Sequence, residues 1–288
     1  MQIDAKGLSY SYDLKSRFKS DALREVSLTI NEGEFFGIIG KTGSGKSTFV
    51  QHLNALIKVQ KNSGTVIVGD FDLSQKKIDY KALRSKIGMV FQYPEYQLFA
   101  ETVFDDVKFA LDNFKPEMAQ EEKQNLVQKA IEAVGLNFNE VKDKSPFELS
   151  GGQKRRVAIA GAIVSMPEVL ILDEPVAGLD PKGKEDFLTL LHKLHSKFVK
   201  TIVIITHDMD IASEHCSSLA VFSDGKILKK GTPQEVFSDE ELLLQAGLEL
   251  PLTAYLQKQL KNNGVIIDSN LTVDDFIAKC LSYKKEGK

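Results

Sequence analysis

A glycine-rich loop near the N-terminus constrains this chain more than any other feature. An apolar run at 35–39 precedes the loop and predicts a buried strand, while apolar residues at helical spacing follow it. Glycines let backbone N–H groups surround an anion, the helix N-terminus attracts it, and Lys46 adds a positive charge. The sequence therefore predicts a nucleotide-phosphate site in which Ser47 binds Mg²⁺. The loop follows the pattern of Gly, any four residues and Gly-Lys-Ser/Thr, and its residues are Gly40, Lys41, Thr42, Gly43, Ser44, Gly45, Lys46, Ser47 and Thr48.

Length, charge and cysteine content restrict the remaining possibilities. The chain has 288 residues, which suffice for one large domain with a small appendage. A net charge of −3 with both signs interspersed gives no signature of nucleic-acid binding, so no nucleic-acid partner is expected. Cys216 and Cys280 lack metal-ligand spacing and are interpreted as packing residues of a reduced cytosolic protein. No signal peptide or membrane-spanning run is expected, so any membrane role requires a partner.

Strand-like segments flank the glycine loop on both sides. Residues 8–12, 26–30 and 64–69 predict an antiparallel layer beside the nucleotide-binding strand, and a polar, basic loop is expected at 13–21. Tyr12 is a candidate for stacking on a nucleotide base, although an isolated tyrosine is equally compatible with ordinary packing.

Polar residues follow three further buried-strand candidates. Ligands of open α/β sheets gather at the carboxyl ends of strands, so these polar residues are predicted to face the nucleotide. Gln92 would bind Mg²⁺ or position a water, Asp173 would hold the metal through its water, and Glu174 would orient or deprotonate the attacking water. His207 is interpreted as a contact to the terminal phosphate. The strand candidate 86–91 is followed by Gln92, 169–172 by Asp173 and Glu174, and 201–206 by His207.

The segment after Gln92 has a different pattern. Residues 93–161 show several helical patterns and no convincing strand, which indicates a helical insertion. Glu95, Glu101 and Asp106 lie beside large aromatic residues in this insertion. They are compatible with a solvated loop and helix start, since acids are favourable in a first turn, and also with a partner groove that has an acidic floor.

A second candidate anion site begins a later helix. Ser150 is predicted to be its N-cap, and the glycines that follow leave backbone N–H groups bare. Lys154, Arg155 and Arg156 oppose the helix dipole in the first turn, which indicates a nearby anion unless they form an ordinary solvated basic face. The residues of this segment are Ser150, Gly151, Gly152 and Gln153.

The last third of the chain contains clear turn and capping signals. Asp180 is predicted to cap a helix, and Asp224-Gly225 predicts a β-hairpin that ends at Gly231. A capping box then predicts that a tail, 232–288, starts with a helix and continues as short helices around a small strand at 265–267. The tail is too small to be self-sufficient, so it is expected to dock on its own domain or on another subunit.

Taken in chain order, these motifs resemble the ATP-binding cassette family of transport ATPases over residues 2–231. The resemblance implies an α/β fold of the P-loop NTPase (RecA-like) class, with a mostly parallel core sheet, an antiparallel β subdomain and a helical subdomain at about 93–165. It implies an ATPase domain at 1–231 and a mostly helical dimerisation or docking extension at 232–288. It also implies ATP and Mg²⁺ as ligands, and a head-to-tail dimer in which 40–48 of one subunit are closed over by 150–153 of the other.

The same resemblance assigns residue roles. They are stacking on adenine for Tyr12, Mg²⁺ binding for Ser47 and Gln92, the Walker B acid for Asp173, the catalytic carboxylate for Glu174, the dimer-spanning loop for Asp180 and the switch histidine for His207.

A subfamily is indicated by the segment that follows the strand candidate 86–91. Residues 91–103, with Asp106, Val107 and Phe109, resemble the ATPases of energy-coupling factor (ECF) transporters, which import vitamins and metal ions. Residues 154–156, among others, are similar to the second of the two ATPase paralogues, called A-prime.

The subfamily implies partners and a location. The partners are a second ATPase, expected to be the homologous paralogue, a transmembrane coupling protein and a substrate-binding membrane subunit, on the cytoplasmic side of the cell membrane. Glu95, Glu101 and Asp106 would then receive basic residues of the coupling protein. The alternatives are an ATPase of a non-ECF importer, a soluble cassette ATPase of DNA repair or translation, and an inactive regulatory subunit, which the presence of Glu174 and His207 disfavours.

Overall fold

The computed structural model describes residues 1–12 and 20–285. Its strands form two sheets, one of four strands and one of six. The predicted loop at 13–21 lies mostly outside the described residues, and Asp21 itself is part of a strand. The strands are β1 (Ile3–Tyr12), β2 (Ser20–Ile30), β3 (Phe35–Gly40), β4 (Thr65–Val68), β5 (Phe71–Asp72), β6 (Ile87–Val90), β7 (Val169–Asp173), β8 (Thr201–Ile205), β9 (Ser218–Ser223) and β10 (Lys226–Gly231).

The core sheet has the strand order β10-β9-β3-β8-β7-β6. Neighbours from β9 to β6 are parallel, and β10 pairs antiparallel with β9. Every residue of β3, β7 and β8 is buried, as expected for parallel strands covered on both faces. Asp224 and Gly225 form the predicted turn between β9 and β10, and both have the positive φ that this hairpin type requires.

The second sheet is antiparallel, with the order β2-β1-β4-β5. It meets the core sheet at the hairpin, where the backbone N–H of Arg24 donates to the carbonyl of Gly225 at 2.8 Å. The predicted antiparallel layer beside the nucleotide-binding strand is therefore present.

Helices cover both faces of the core sheet and form a separate layer at its β6 edge. Residues 93–161 contain no strand, as predicted, and α3, α4 and α6 of this segment pack against one another. No helix within the described residues is long and apolar enough to cross a membrane. The helices are α1 (Lys46–Leu53), α2 (Tyr80–Lys86), α3 (Val103–Phe114), α4 (Gln120–Ala133), α5 (Phe138–Val141), α6 (Gly151–Ile163), α7 (Pro181–Lys197), α8 (Met209–His215), α9 (Pro233–Phe237), α10 (Glu240–Ala246), α11 (Leu252–Asn262) and α12 (Val273–Lys285).

Alternate residues of the central strands bury their side chains in two different cores. Ile38 packs in the core between the two sheets, and its neighbour Ile39 packs on the other face, together with residues of the helical layer. Burying one such side chain stabilises the fold by about 1.5–3 kcal/mol, so both faces hold the core sheet rigidly in place. The carboxyl ends of its strands are thereby fixed relative to one another.

The C-terminal helices begin where the sequence predicts. Thr232 and Glu235 form the capping box of α9, and buried residues of α9 and α10 belong to the same core as the helical layer. The predicted strand at 265–267 is wrong. This segment has no strand partner among the described residues, and the backbone N–H of Val265 instead donates to the carbonyl of Leu260 at the end of α11. The division of the chain at Gly231 stays a prediction.

Candidate nucleotide-binding and hydrolysis site

The glycine loop joins the end of β3 to the start of α1. Gly40 and Gly45 have φ of 150° and 104°, and a Cβ on Gly40 would collide with the carbonyl oxygen of Phe222. Glycine is therefore required at Gly40 by a close approach of backbone as well as by conformation. The loop residues Lys41, Thr42 and Gly43 are exposed, so the loop offers its backbone to solvent above the sheet.

Lys46 lies beneath the loop with only 6% of its surface exposed. Its Nζ donates to the carbonyl oxygens of Gly40 at 2.7 Å and Lys41 at 2.9 Å, which fixes the loop around the ammonium group. Burial lowers the pKa of Lys46, and the nearby carboxylates of Glu174 and Asp173 partly oppose this shift. An ammonium has three N–H donors, and these two carbonyls accept from two of them, so one donor and the positive charge are available to an anion in the loop.

Ser44 gives a second indication that the loop is shaped for a ligand. Its Oγ is buried and has no hydrogen-bond partner within the described residues. A buried hydroxyl without a partner is unfavourable, and a phosphate oxygen in the loop would satisfy it. Together with Lys46 and the bare amides, Ser44 fits a nucleotide phosphate.

Ser47 and Asp173 form the candidate Mg²⁺ site. The Ser47 side chain lies close to the carboxyl group of Asp173, which is the last residue of β7. Burial raises the pKa of Asp173, and the like charge of Glu174 adds to this, while Ser47 and Lys46 oppose it. Hydroxyl and carboxylate oxygens suit Mg²⁺, which usually completes its shell with phosphates and waters.

Glu174 contacts both of the other polar residues at the strand ends. Its Oε2 accepts from Nε2 of Gln92 at 3.2 Å, and its Oε1 lies 3.3 Å from Nδ1 of His207. Glu174 has a φ of 46°, in the left-handed region that is unfavourable for a non-glycine residue, and its backbone N–H donates to the carbonyl of Ile205. The structure thus brings together the three residues that sequence reasoning placed at a hydrolytic centre.

Tyr12 lies close to the far end of the glycine loop. Its hydroxyl is 3.1 Å from Oγ1 of Thr48, and 39% of its surface is exposed. The ring of Tyr10 meets it edge-on at 4.8 Å and also contacts His52, so Tyr10 faces inward while Tyr12 remains accessible. Tyr12 is the tyrosine that is available for stacking on a base.

The second anion-binding segment starts α6. Ser150 accepts from the backbone N–H of Gln153 at 3.3 Å, and the Gln153 side chain accepts from the N–H of Ser150 at 3.0 Å. Gly151 and Gly152 are exposed, and a Cβ on either would meet open space. Helix α6 packs on β6, whereas the glycine loop follows β3. Two strands, β8 and β7, lie between β3 and β6 in the core sheet, so the two anion-binding segments are associated with different strands.

Two of the three basic residues after this segment form hydrogen bonds within the protein. Arg155 and Arg156 are directed to backbone carbonyls, Arg155 to those of Pro175 and Ala177 and Arg156 to that of Val134. The interpretation of Arg155 as part of a solvated basic face is wrong, because the residue is buried, and the anion beside it is the carboxylate of Glu95 at 3.6 Å. Carbonyl oxygens brought close by tertiary packing accept hydrogen bonds from both guanidinium groups.

Asp180 caps α7 as predicted. Its Oδ1 accepts from the backbone N–H of Gly183 at 2.6 Å, and the residue is exposed. It follows the turn that begins at Glu174, so the same short segment carries the candidate catalytic carboxylate and an exposed acid.

The candidate coupling acids have three different environments. Asp106 accepts from the backbone N–H groups of Phe99 and Ala100 at 2.8 and 2.9 Å, Glu101 is exposed, and Glu95 lies 3.6 Å from Arg155. An apolar groove of about 340 Å³ lies nearby, and Asp106 contributes to its lining, whereas Glu95 and Glu101 do not. The groove is lined on its outer side by Phe99 and Phe109, whose rings are 4.8 Å apart.

Comparison with known proteins agrees with this arrangement. The family described as ABC transporter matches residues 23–177. The energy-coupling factor transporter ATP-binding protein EcfA2 of Clostridium tetani is 43% identical over 271 residues, which cover 94% of this chain and 93% of that protein.

Solved structures give the same result for the fold. The structure of cbiO1 from Clostridium perfringens, part of the ABC transporter complex cbiONQ, superposes with a TM-score of 0.73 at 36% identity, covering 89% of this chain and 98% of that one. A dimeric ATP-binding cassette in a post-hydrolysis state with ADP and Pi has a TM-score of 0.70 at 30% identity, covering 80% and 98%. The chain therefore belongs to the ABC transporter family of ATPases, and within it to the group of energy-coupling factor transporter ATP-binding proteins.

Proposed function

We propose that this chain is the ATP-hydrolysing subunit of an ECF importer that takes up a vitamin or a metal ion. The observation that carries the proposal is that the Glu174 carboxylate contacts both Gln92 and His207 at the strand ends. The neighbouring residues Ser47 and Asp173 lie beside this cluster. All of these lie at the side of the core sheet where the glycine loop leaves β3. This is the arrangement needed to hold a nucleoside triphosphate and to direct a water at its terminal phosphate.

We propose the following residue roles, which the geometry supports. Glu174 orients and deprotonates the attacking water, Gln92 fixes the carboxylate from one side, and His207 contacts the carboxylate and the terminal phosphate from the other. Lys46 and the loop amides hold the phosphates, and Tyr12 stacks on the base. Ser47, Asp173 and Gln92 would hold Mg²⁺, which neutralises charge on the phosphates when bound.

The site is proposed to be completed by a second subunit. Ser150, Gly151, Gly152 and Gln153 form a helix start whose glycine amides are exposed, as a phosphate-binding surface for another molecule requires. The dimeric state of the related cassette with ADP and Pi supports a head-to-tail pair. We propose that the partner is the homologous ECF ATPase and that Asp180 lies in the loop that spans the pair.

The membrane partners are proposed to contact the apolar groove beside β6. The related cbiO1 is part of a complex with other transporter components, which supports a transmembrane coupling protein and a substrate-binding membrane subunit here. The chain would then be a peripheral protein at the cytoplasmic face of the membrane. Glu101 is exposed and available to a basic partner, whereas Asp106 already binds two backbone amides and shapes the groove wall.

The proposed function is tested by the substitution Glu174→Gln. The variant keeps the hydrogen-bonding shape but loses the general base, so ATP binding is retained and hydrolysis falls by about 10²–10⁴-fold. Glu168→Gln is the matched control. Glu168 directly precedes the first residue of β7, whereas Glu174 directly follows its last residue, so the same substitution is made away from the site. Binding is measured by calorimetry and turnover by phosphate release from the purified complex. Near-normal hydrolysis by a complex with both ATPase sites disabled in this way would contradict the assignment.

A further inference from the structure

Arg155 is a buried cation that connects three segments of the site. It lies on α6, just after the exposed glycines, and 6% of its surface is exposed. Its Nη1 donates to the carbonyl of Pro175 at 2.9 Å, its Nη2 donates to the carbonyl of Ala177 at 3.2 Å, and Nη2 lies 3.6 Å from Oε2 of Glu95.

The two carbonyls belong to the turn that carries the candidate catalytic base. Pro175 directly follows Glu174, and the backbone N–H of Ala177 donates back to the carbonyl of Glu174. Glu174 itself has the left-handed φ of 46°, a conformation that persists only where the surroundings hold it. The planar guanidinium of Arg155 donates to two carbonyls of this turn at once, and a lysine ammonium does not reproduce this geometry.

Glu95 is an incompletely satisfied carboxylate on the other side of Arg155. It lies in the single helical turn Pro94–Gln97, three residues after Gln92, and its Oε2 is buried without a hydrogen-bond partner in the described structure. At 3.6 Å the contact with Arg155 is an ion pair rather than a hydrogen bond. The Glu95 side chain keeps 24% of its surface exposed, so part of it is accessible from outside.

We propose that Arg155 is a positioning residue that couples contact of a basic partner side chain with Glu95 to the conformation of the Glu174 turn. A cation that binds the Glu95 carboxylate shares it with Arg155 and weakens the ion pair that holds the guanidinium, which changes its contacts with Pro175 and Ala177. This inference rests on the proposed function, because it assigns a coupling role within the same hydrolytic site. The partner is identified by its chemistry as a lysine or arginine side chain of the membrane component.

The adjacent arginine provides a matched control. Arg156 lies on the same helix and its Nη1 also donates to a backbone carbonyl, but that carbonyl belongs to Val134 at the end of α4. Arg155→Lys and Arg156→Lys therefore both keep the charge and both remove a guanidinium that donates to backbone carbonyls, two for Arg155 and one for Arg156. Only Arg155→Lys loosens the Glu174 turn.

The test measures ATP affinity, kcat, KM and uptake per ATP in the complete importer. Arg155→Lys is expected to lower kcat about tenfold to a hundredfold with KM changed less than about threefold, since a small displacement of the base is costly while phosphate binding is intact. Arg156→Lys is expected to leave kcat within about threefold of the wild type. Equal kcat for the two variants would overturn the proposal, and so would a loss of kcat that a thermal melt accounts for by unfolding.

A double-mutant cycle tests the link to Glu95. Glu95→Gln removes the ion pair, so it is expected to lower uptake per ATP, and adding it to Arg155→Lys is expected to lower that ratio no further. Additive effects would show that the two residues act separately and would overturn the coupling role. Failure of the proposed function is distinguishable, since it would appear as normal hydrolysis by the Glu174→Gln complex, whatever the Arg155 variants do.

Discussion

His52 is a buried histidine in the last turn of α1, and its contacts assign the tautomer of its ring. Its Nδ1 lies 2.7 Å from the carbonyl of Thr48, so Nδ1 carries the proton, and its Nε2 is buried without a partner in the described chain. The ring of Tyr10 lies edge-on to it at 4.9 Å. Burial lowers the pKa of His52, and the Thr48 carbonyl offsets this only in part. His52 is therefore harder to protonate in the folded protein than in the unfolded chain.

The lowered pKa of His52 predicts that the free energy of unfolding depends on pH. In the unfolded chain a histidine gains a proton below about pH 6.5, whereas folded His52 gains it only at a lower pH, so the free energy of unfolding falls as pH drops below that value. One such group contributes a slope of at most about 1.4 kcal/mol per pH unit. His52→Phe keeps a ring against Tyr10 and removes the titration, so its slope between pH 7 and 5 is expected to be shallower.

Urea unfolding across this pH range measures the difference between the two proteins. His192 and His215 have lowered pKa values for the same first cause, burial, so a residual slope of the same sign is expected in the variant. Identical slopes for the variant and the wild type would show that folding does not lower the pKa of His52.

At the scale of secondary-structure elements, α8 connects the strand end of His207 to the C-terminal helices. Asp210 accepts from the backbone N–H of Leu252 at 2.6 Å, and Glu214 accepts from the N–H of Val273 at 3.1 Å. These amides lie at the starts of α11 and α12, where N–H groups have no partner within their own helix and attract negative charge. One turn of α8 therefore holds the N-termini of two helices.

Removal of these carboxylates is expected to release α11 and α12. Asp210→Ala and Glu214→Ala each lose a helix-capping contact worth about 0.5–2 kcal/mol, so amide hydrogen exchange over 252–285 should accelerate while β3 and β7 stay protected. Glu185→Ala is the control, since Glu185 lines the same cleft from α7. Unchanged exchange in both variants would mean that apolar packing alone holds these helices.

The elements that sequence predicts best are those whose identity depends on local chemistry. The glycine loop, the capping residues Ser150 and Asp180, and the polar ends of buried strands all follow from neighbouring residues. The segment 265–267 was predicted as a strand from β-branched residues alone, but a strand also needs an edge to pair with, and that depends on the whole fold. Arg155 carries no local sign of its role, because its partner carbonyls lie 20 and 22 residues away and meet it only through packing.

At the scale of the whole molecule, the C-terminal helices also approach the nucleotide loop. Gly247, at the end of α10, has a φ of 58°, and the Lys41 side chain lies so close to it that a Cβ there would collide with Nζ. The C-terminal helices therefore contact the glycine loop through Lys41 and contact α8, the helix that follows His207. We expect a subunit contact made by these helices to affect the conformation of the hydrolytic site.

The C-terminal helices present an apolar surface suited to such a contact. Val273, Ile277 and Leu281 follow one another at four-residue intervals on α12, and 43%, 50% and 56% of their surfaces are exposed. Leu252 and Tyr255 of α11 are also about half exposed. A row of large apolar side chains at helical spacing is typical of a surface that is covered in an assembly. We expect the second ATPase subunit to cover it.

This expectation is tested by placing charges on the row. Ile277→Glu with Leu281→Glu leaves two charges to be desolvated and removes the burial of two aliphatic side chains, each worth about 1.5–3 kcal/mol when complete. The dissociation constant of the ATPase pair is therefore expected to rise at least about a hundredfold. Ser282→Glu is the control, because Ser282 is exposed on the opposite side of the same helix. Sedimentation velocity over a dilution series measures the constant, and an unchanged value for the double variant would assign the apolar row to some other contact.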